Sequence, residues 1–137
     1  MRIAITGSIA TDHLMKFPGK FRDQLIADKL DKVALSFLVD DLEIRRGGVG
    51  ANIAFGLGCL GLRPLLVGSA GADFAEYRSW LEDHGVDTSD VRESALRHTA
   101  RFIGTTDEVG DQIGSFYAGA MADDRDLRLD GDRKSVV

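Results

Sequence analysis

The feature that most constrains this chain is a glycine-rich junction, Gly47-Gly48-Val49-Gly50, running into Ala51-Asn52-Ile53-Ala54. From Gly50 to Leu60 the chain is almost entirely apolar or glycine. That run is long for a strand and fits a buried helix, despite the helix penalty of Gly56 and Gly58. Small residues in such a helix imply very close packing against a neighbour. Ahead of the junction, Leu42 to Arg46 alternates as a strand does, with Leu42 and Ile44 on one face. The junction is therefore a strand, a glycine turn and a helix start. Paired glycines let a backbone approach a ligand with no Cβ in the way, and a helix start offers free N–H groups. Asn52 is the one strongly hydrogen-bonding side chain between Val49 and Leu60. Its amide both donates and accepts, which suits a hydroxyl-rich ligand or, equally, a helix end that needs a partner. The chain holds 16 glycines in 137 residues, above the usual share of roughly 7%. Their clustering between Gly47 and Gly71 marks punctuation within a fold and not a flexible linker.

Around the junction, strands and helices alternate. Arg2 to Thr6 reads as a strand buried on both faces, ended by Gly7-Ser8. Val33 to Val39 alternates, and with Leu42 to Arg46 it predicts a hairpin or bent ribbon. Leu65 to Gly68 is a second buried strand. Asp73 is placed to cap a helix, with Glu76 completing a capping box. Phe74, Tyr77, Trp80 and Leu81 share one face of that helix, and Gly85 stops it. Thr99 to Thr105 and Gln112 to Ala118 are strand-like, joined by the polar turn Asp107 to Asp111. The order predicts an α/β sheet, with the two ribbons forming a separate small sheet. Asp123 to Val137 is rich in charge and keeps no hydrophobic period, so a frayed or disordered tail is expected there.

The balance of charge narrows the partners. A formal net charge of −5 disfavours a nucleic-acid role. No run approaches the length of a transmembrane helix, and the short apolar start after Met1-Arg2 is too brief for a secretory signal. Cys59 is the sole cysteine, which excludes an internal disulfide and fits a reducing compartment; a cytoplasmic location is expected. His13, His84 and His98 are scattered, without ligand spacing for a metal.

Gly47-Gly48-Val49-Gly50-Ala51-Asn52-Ile53-Ala54, then Gly61, then Gly71, resembles the first signature of the ribokinase-like (phosphofructokinase-B-type) carbohydrate kinases. Asp73 and Gly85-Val86-Asp87-Thr88-Ser89 are similar to that family as well. Three flanking strings resemble the bacterial adenosine kinases more closely: Thr6 to Leu14, Leu35 to Asp40, and Ala100-Arg101-Phe102 with Gly114-Ser115-Phe116-Tyr117. The resemblance covers roughly residues 1–122 and fades in the tail. It implies the N-terminal part of a three-layer αβα domain, with lid strands at about 33–46 and 99–118. It also implies transfer of the ATP γ-phosphate, with Mg²⁺, to a primary hydroxyl, most closely the 5′-hydroxyl of adenosine, or else a sugar hydroxyl. Asp12 would accept hydrogen bonds from the ribose 2′- and 3′-hydroxyls. Gly47, Gly48 and Asn52 would line the ribose, and Ser8 would face the base. Ser36, Phe102 and Phe116 would come from the ribbons, the two rings packing on the purine. Lid strands of such kinases pair between subunits, so a homodimer is implied.

The family's second signature, of the form Asp-Thr-x-Gly-Ala-Gly-Asp, holds phosphate and supplies the catalytic base. Ser69-Ala70-Gly71-Ala72-Asp73 resembles it only superficially and belongs to the spacing of the first signature. The catalytic aspartate and the ATP site are therefore expected outside this chain, and the chain alone is expected to be inactive. Two readings of other classes stay open. One is a dinucleotide-binding module at Gly48-Val49-Gly50, although Ile53 holds the third glycine position. The other is a non-catalytic module that dimerises through its ribbons.

Overall fold

The computed structural model describes residues 3–25, 34–129 and 135–136. The chain divides into two compact units. The first comprises residues 1–11, 46–101 and 117–137, and the second residues 12–45 and 102–116.

The first unit is built on a parallel sheet. Its strands are β1 (Ile3–Thr6), β4 (Leu65–Gly71), β5 (Asp87–Ser94) and β8 (Ser135–Val136), in the order β5-β4-β1-β8. Ala4 pairs with Leu65 and Thr6 with Val67. Every residue of β4 is buried, the signature of a strand covered on both faces. Helices α2 (Val49–Cys59) and α3 (Ala75–Asp83) complete the unit. Ile5, Ile9, Leu66, Ala51, Ala54, Phe74 and Leu81 form its core. Both helices end as their glycines foretell. Gly61 (φ +81°) and Gly85 (φ +85°) adopt the left-handed conformation. Each is followed by a residue whose N–H returns to a carbonyl five positions back, Leu62 to Leu57 and Val86 to Leu81. Gly58 explains the close packing expected of α2, because a side chain there would run into the carbonyl of His84.

The second unit carries most of a four-stranded sheet of order β3-β2-β6-β7. Its strands are β2 (Ala10–Lys16), β3 (Asp41–Gly47), β6 (Ala100–Thr106) and β7 (Gln112–Tyr117). β3, β6 and β7 correspond to the anticipated ribbons. Helix α1 (Phe21–Gln24) is a single turn. The carboxylate of buried Asp107 organises the β6–β7 connection, accepting from the N–H groups of Phe21, Val109 and Asp111.

Several expectations are corrected. Residues 34–39 carry no strand, and Val33 lies outside the described residues. Phe37 turns instead into a cluster with Phe17 and Phe21, at ring-centroid distances of 5.0 and 5.2 Å. The partner of β3 is β2, whose mixed composition hides its period. β5 is equally concealed. Its inward residues include Thr88 and Ser94, and the Arg78 guanidinium binds both the carbonyl and the hydroxyl of Thr88. Asp73 does not cap α3. It sits inside a 3-10 turn (Ala72–Phe74) that leads into the helix, and Glu76 pairs with Arg46. In the charged tail, Asp123 to Asp126 belong to a 3-10 helix (Gly119–Asp126) and Ser135–Val136 pair with β1, while residues 130–134 and 137 lie outside the described residues. Among the described residues, no helix is long and apolar enough to cross a membrane.

Candidate functional site

The glycine junction lies in the first unit, where backbone meets backbone. Gly48 has φ +93°, and a Cβ on it would strike the Ser8 carbonyl and lie 2.7 Å from Ala10 N. A Cβ on Gly50 would stand 2.7 Å from the carbonyl carbon of Gly7. Only glycine permits this fit. The Gly47 carbonyl accepts from the Tyr77 hydroxyl at 3.0 Å, which ties the turn to α3. Tyr77 is readable in sequence as a core residue, but its hydroxyl role is not.

Ser8 closes the start of α2. Its Oγ accepts from Val49 N–H at 2.9 Å and its carbonyl from Ala51 N–H at 3.3 Å. The helix start thus does not present those two N–H groups to a ligand, as the sequence had suggested. Ser8 still has a hydroxyl proton to donate. Asn52 lies on the first turn beyond the glycines with its side chain exposed. The dinucleotide reading fails on this geometry. The glycine turn follows β3, a strand of the β3-β2-β6-β7 sheet and not of the parallel one, and Ser8 occupies the helix N-terminus where a pyrophosphate would sit.

In the second unit, one sheet face gathers three of the expected residues. The Phe102 ring lies over both Gly104 and Gly114, so these three share a face. Phe116, two residues beyond Gly114 on β7, shares it by strand alternation. Gln112 Nε2 donates to Thr106 Oγ1 at 3.3 Å on the same side. A cavity of about 600 Å³ joins this side to β2 and β3 through Leu14, Lys16, Glu43, Arg45, Thr106 and Gln112. Asp12 alternates with Leu14 and Lys16, which puts it on that face too. Arg45 donates to Glu43 through two nitrogens, at 2.7 and 2.9 Å. That hydrogen bond first, and the charges of Arg45 and Lys16 after it, hold Glu43 below the usual carboxylate range. Arg45 is held charged by Glu43 and feels the charge of Asp12 as well. Neither Glu43 nor Arg45 stood out in the sequence, because alternation along β3 does not reveal that β2 brings the charges of Asp12 and Lys16 near them. Ser36 is exposed in the strandless stretch and not on this sheet, so it does not come from a ribbon strand as expected.

Asp73 is a hub of the first unit. It accepts from Thr99 N–H (2.8 Å), Thr99 Oγ1 (2.7 Å) and the Arg101 guanidinium (2.8 Å), fixing the start of β6. Burial alone would raise its pKa, but the Thr99 bonds and Arg101 outweigh burial and hold it below the usual range. For Mg²⁺, the described residues offer no group of three or more His, Cys, Asp or Glu that could hold a metal ion. For ATP, the glycine-rich helix start has its Val49 and Ala51 N–H groups bonded to Ser8. That helix start does not fit the phosphates.

The chain thus combines an α/β unit whose glycine turn lies against the end of its first strand with a sheet that carries a carboxylate and two rings on one face. The chain belongs to the pfkB family of carbohydrate kinases, whose family model matches residues 17–136. It is 38% identical over 88 residues to a nucleoside kinase from Methanothermobacter thermautotrophicus, covering 63% of this chain and 28% of the relative. Its structure is similar to that of Burkholderia thailandensis nucleoside kinase in complex with inosine, with a TM-score of 0.77 and 33% identity. That match covers 98% of this chain and 43% of the other. A ribokinase from Cryptococcus neoformans in complex with ADP matches with a TM-score of 0.73 and 25% identity, over 87% of this chain and 35% of its own. The fold is ribokinase-like, and the chain spans less than half the length of these relatives.

Proposed function

We propose that this chain is the acceptor-binding part of an ATP-dependent nucleoside kinase, with adenosine as the acceptor. The observation that carries the reading is the shared sheet face of Asp12, Phe102 and Phe116, a carboxylate beside two aromatic rings. A ribonucleoside has the matching chemistry, a vicinal diol joined to a flat heterocycle. Asp12 accepts hydrogen bonds from the 2′- and 3′-hydroxyls, as a charge-assisted pair. Phe102 and Phe116 pack on the base. The family resemblance assigns Gly47, Gly48 and Asn52 to the ribose and Ser8 and Ser36 to the base side. This chain's part in catalysis is orientation. It fixes the sugar so that a primary hydroxyl is presented for phosphoryl transfer. A relative crystallised with inosine supports a purine nucleoside over a free sugar. Ribokinase- or fructokinase-type sugars are the alternative.

The opposite face of the same sheet supports a second element of the reading, a homodimer formed through these strands. Leu42, Ile44, Ile103 and Ile113 alternate with the polar and aromatic face, and all four are exposed. An aliphatic patch on an open sheet favours self-association. Sedimentation of Ile44→Lys should shift the chain toward monomer, and an unchanged distribution would remove the dimer.

Calorimetric titration with adenosine, 2′-deoxyadenosine, ribose and NADH tests the main reading. Adenosine should bind best. Loss of the 2′-hydroxyl or the Asp12→Ala change should weaken binding by about tenfold or more, the loss of a charged hydrogen bond. Equal affinity for adenosine and 2′-deoxyadenosine would sink the role of Asp12, and tighter binding of NADH would sink the nucleoside reading.

A further inference from the structure

Two glycines in the middle of strands call for an explanation. Gly104 lies within β6 and Gly114 within β7. Neither has a positive φ, so neither is required by backbone conformation. Glycine weakens a strand interior, where it brings no side chain and loses the most chain freedom. What they have in common is the ring of Phe102. A Cβ at Gly104 would lie 2.7 Å from Cε1 and 3.0 Å from Cζ, and one at Gly114 would lie 2.9 Å from Cε2 and 3.0 Å from Cζ. Both edges of one ring therefore rest where two side chains would otherwise stand. Phe102 lies across the two strands, half-buried, while Phe116 on the same face stays 56% exposed.

We infer that Gly104 and Gly114 are positioning residues for base recognition: they let the Phe102 ring lie down across the sheet as a fixed platform for a flat heterocycle. The inference rests on the nucleoside reading above and adds the device that sets base affinity apart from sugar affinity. A ring that stands clear of the sheet would fill the space a base needs. A ring laid across two strands, its far end against both glycines, loses little freedom when a base stacks on it. The chemistry is general to planar heterocycles, because stacking tolerates any π-face.

The test uses the 137-residue chain, adenosine and ribose as probes, and the variants Gly104→Ala, Gly114→Ala and Phe102→Ala with the double variants. Neither glycine has a positive φ, so alanine takes the same backbone without strain and circular dichroism should show the fold kept. Either glycine variant should weaken adenosine by about tenfold, the scale of one lost base–aromatic stack, and leave ribose unchanged. In a Phe102→Ala background the same glycine change should have no further effect on adenosine. An unchanged adenosine affinity, or an equal loss with and without Phe102, overturns the inference. A ligand-free arm stands apart from the nucleoside reading. The Hα protons of Gly104 and Gly114 should show ring-current shifts that vanish in Phe102→Ala, and their absence overturns the platform. If the parent chain binds no adenosine, the nucleoside reading fails, and the ring-current result alone decides whether the glycines hold the ring.

Discussion

The two units are held together by different means. In the first, backbone touches backbone at Gly7, Gly48, Gly50 and Gly58, around an aliphatic core of Ile5, Ile9 and Leu66. In the second, Phe17, Phe21 and Phe37 pack on one another, and Asp107 gathers the turn. Among the described residues, the buried apolar side chains fall almost wholly in the first unit, with Phe21 the exception. A fold that relies on missing Cβ atoms has no slack, because no rotamer can relieve an added methyl. A fold that relies on a few rings can repack locally. The first unit should therefore be brittle at its glycines, and the second more tolerant of local repacking.

The largest effect that would break this contrast is at Gly48. Gly48→Ala combines a left-handed backbone with collisions against Ser8 and Ala10, and should destabilise the chain by about 3 kcal/mol or more in urea unfolding. Gly56→Ala, on the same helix with open space around it, should instead stabilise by roughly 0.5–1 kcal/mol. If the two variants behave alike, close backbone contact is not what makes the first unit brittle.

Phe21→Ala sharpens the comparison from the other side. Removing a buried ring should cost about 3 kcal/mol, confined to the second unit. Trp80, the chain's one tryptophan, stacks on Phe55 at 4.4 Å in the first unit and reports that unit alone. Hydrogen exchange should quicken in β2 and β6 while the Trp80 fluorescence transition stays in place. A common shift of both would show that the units unfold as one.

A smaller effect concerns acid. Because the folded-state pKa of Asp73 is depressed, its contribution is present above the unfolded value of about 3.9 and is lost as pH falls through the folded pKa. Asp73→Asn should lower stability at neutral pH by about 1 kcal/mol, discounted for partial exposure, and flatten the acid limb of the stability curve. An acid limb identical to that of the parent chain would remove Asp73 as the hub. The smallest effect should have the opposite sign. Burial pushes the Asp124 carboxyl up, against the pull of Ser69, and Asp123 repels it further. An ionised Asp124 thus opposes folding above its unfolded pKa, and the penalty fades as pH falls. Asp124→Asn should raise the melting temperature slightly at pH 7 and not near pH 4, and a fall at pH 7 would contradict the sign.

Much of the fold was legible because it rests on local rules. The Gly50–Leu60 helix, the buried strand beginning at Leu65, the stop at Gly85 and the Asp107–Asp111 turn all follow from period, burial and glycine chemistry. β5 and β2 were not legible. The inward positions of β5 carry Thr and Ser; the Thr88 hydroxyl accepts from Arg78 and donates to Glu82, partners that no period reveals. Val33 to Val39 misled in the other direction, since its alternation is real but Phe37 finds two rings more than 15 residues earlier in the chain. At the candidate site, the glycines, Asn52, Asp12 and the two phenylalanines were named from residues and family resemblance. The pairing of Arg45 with Glu43, the seat of Phe102 on Gly104 and Gly114, and the use of Ser8 to close α2 were not.

Composition and spacing by themselves determined that this chain makes an α/β domain with a tight glycine turn, because backbone freedom and hydrophobic period are properties of neighbours in sequence. Only the tertiary structure decided that Asp73 binds Thr99 and Arg101 instead of capping its own helix. It also decided that Ser8 spends its Oγ on Val49, and that two ordinary-looking glycines lie under one ring. Those outcomes depend on which strands become neighbours. A hydrogen bond or a missing Cβ acts over about 3 Å, and nothing in the linear order of residues fixes which distant atoms come within that reach.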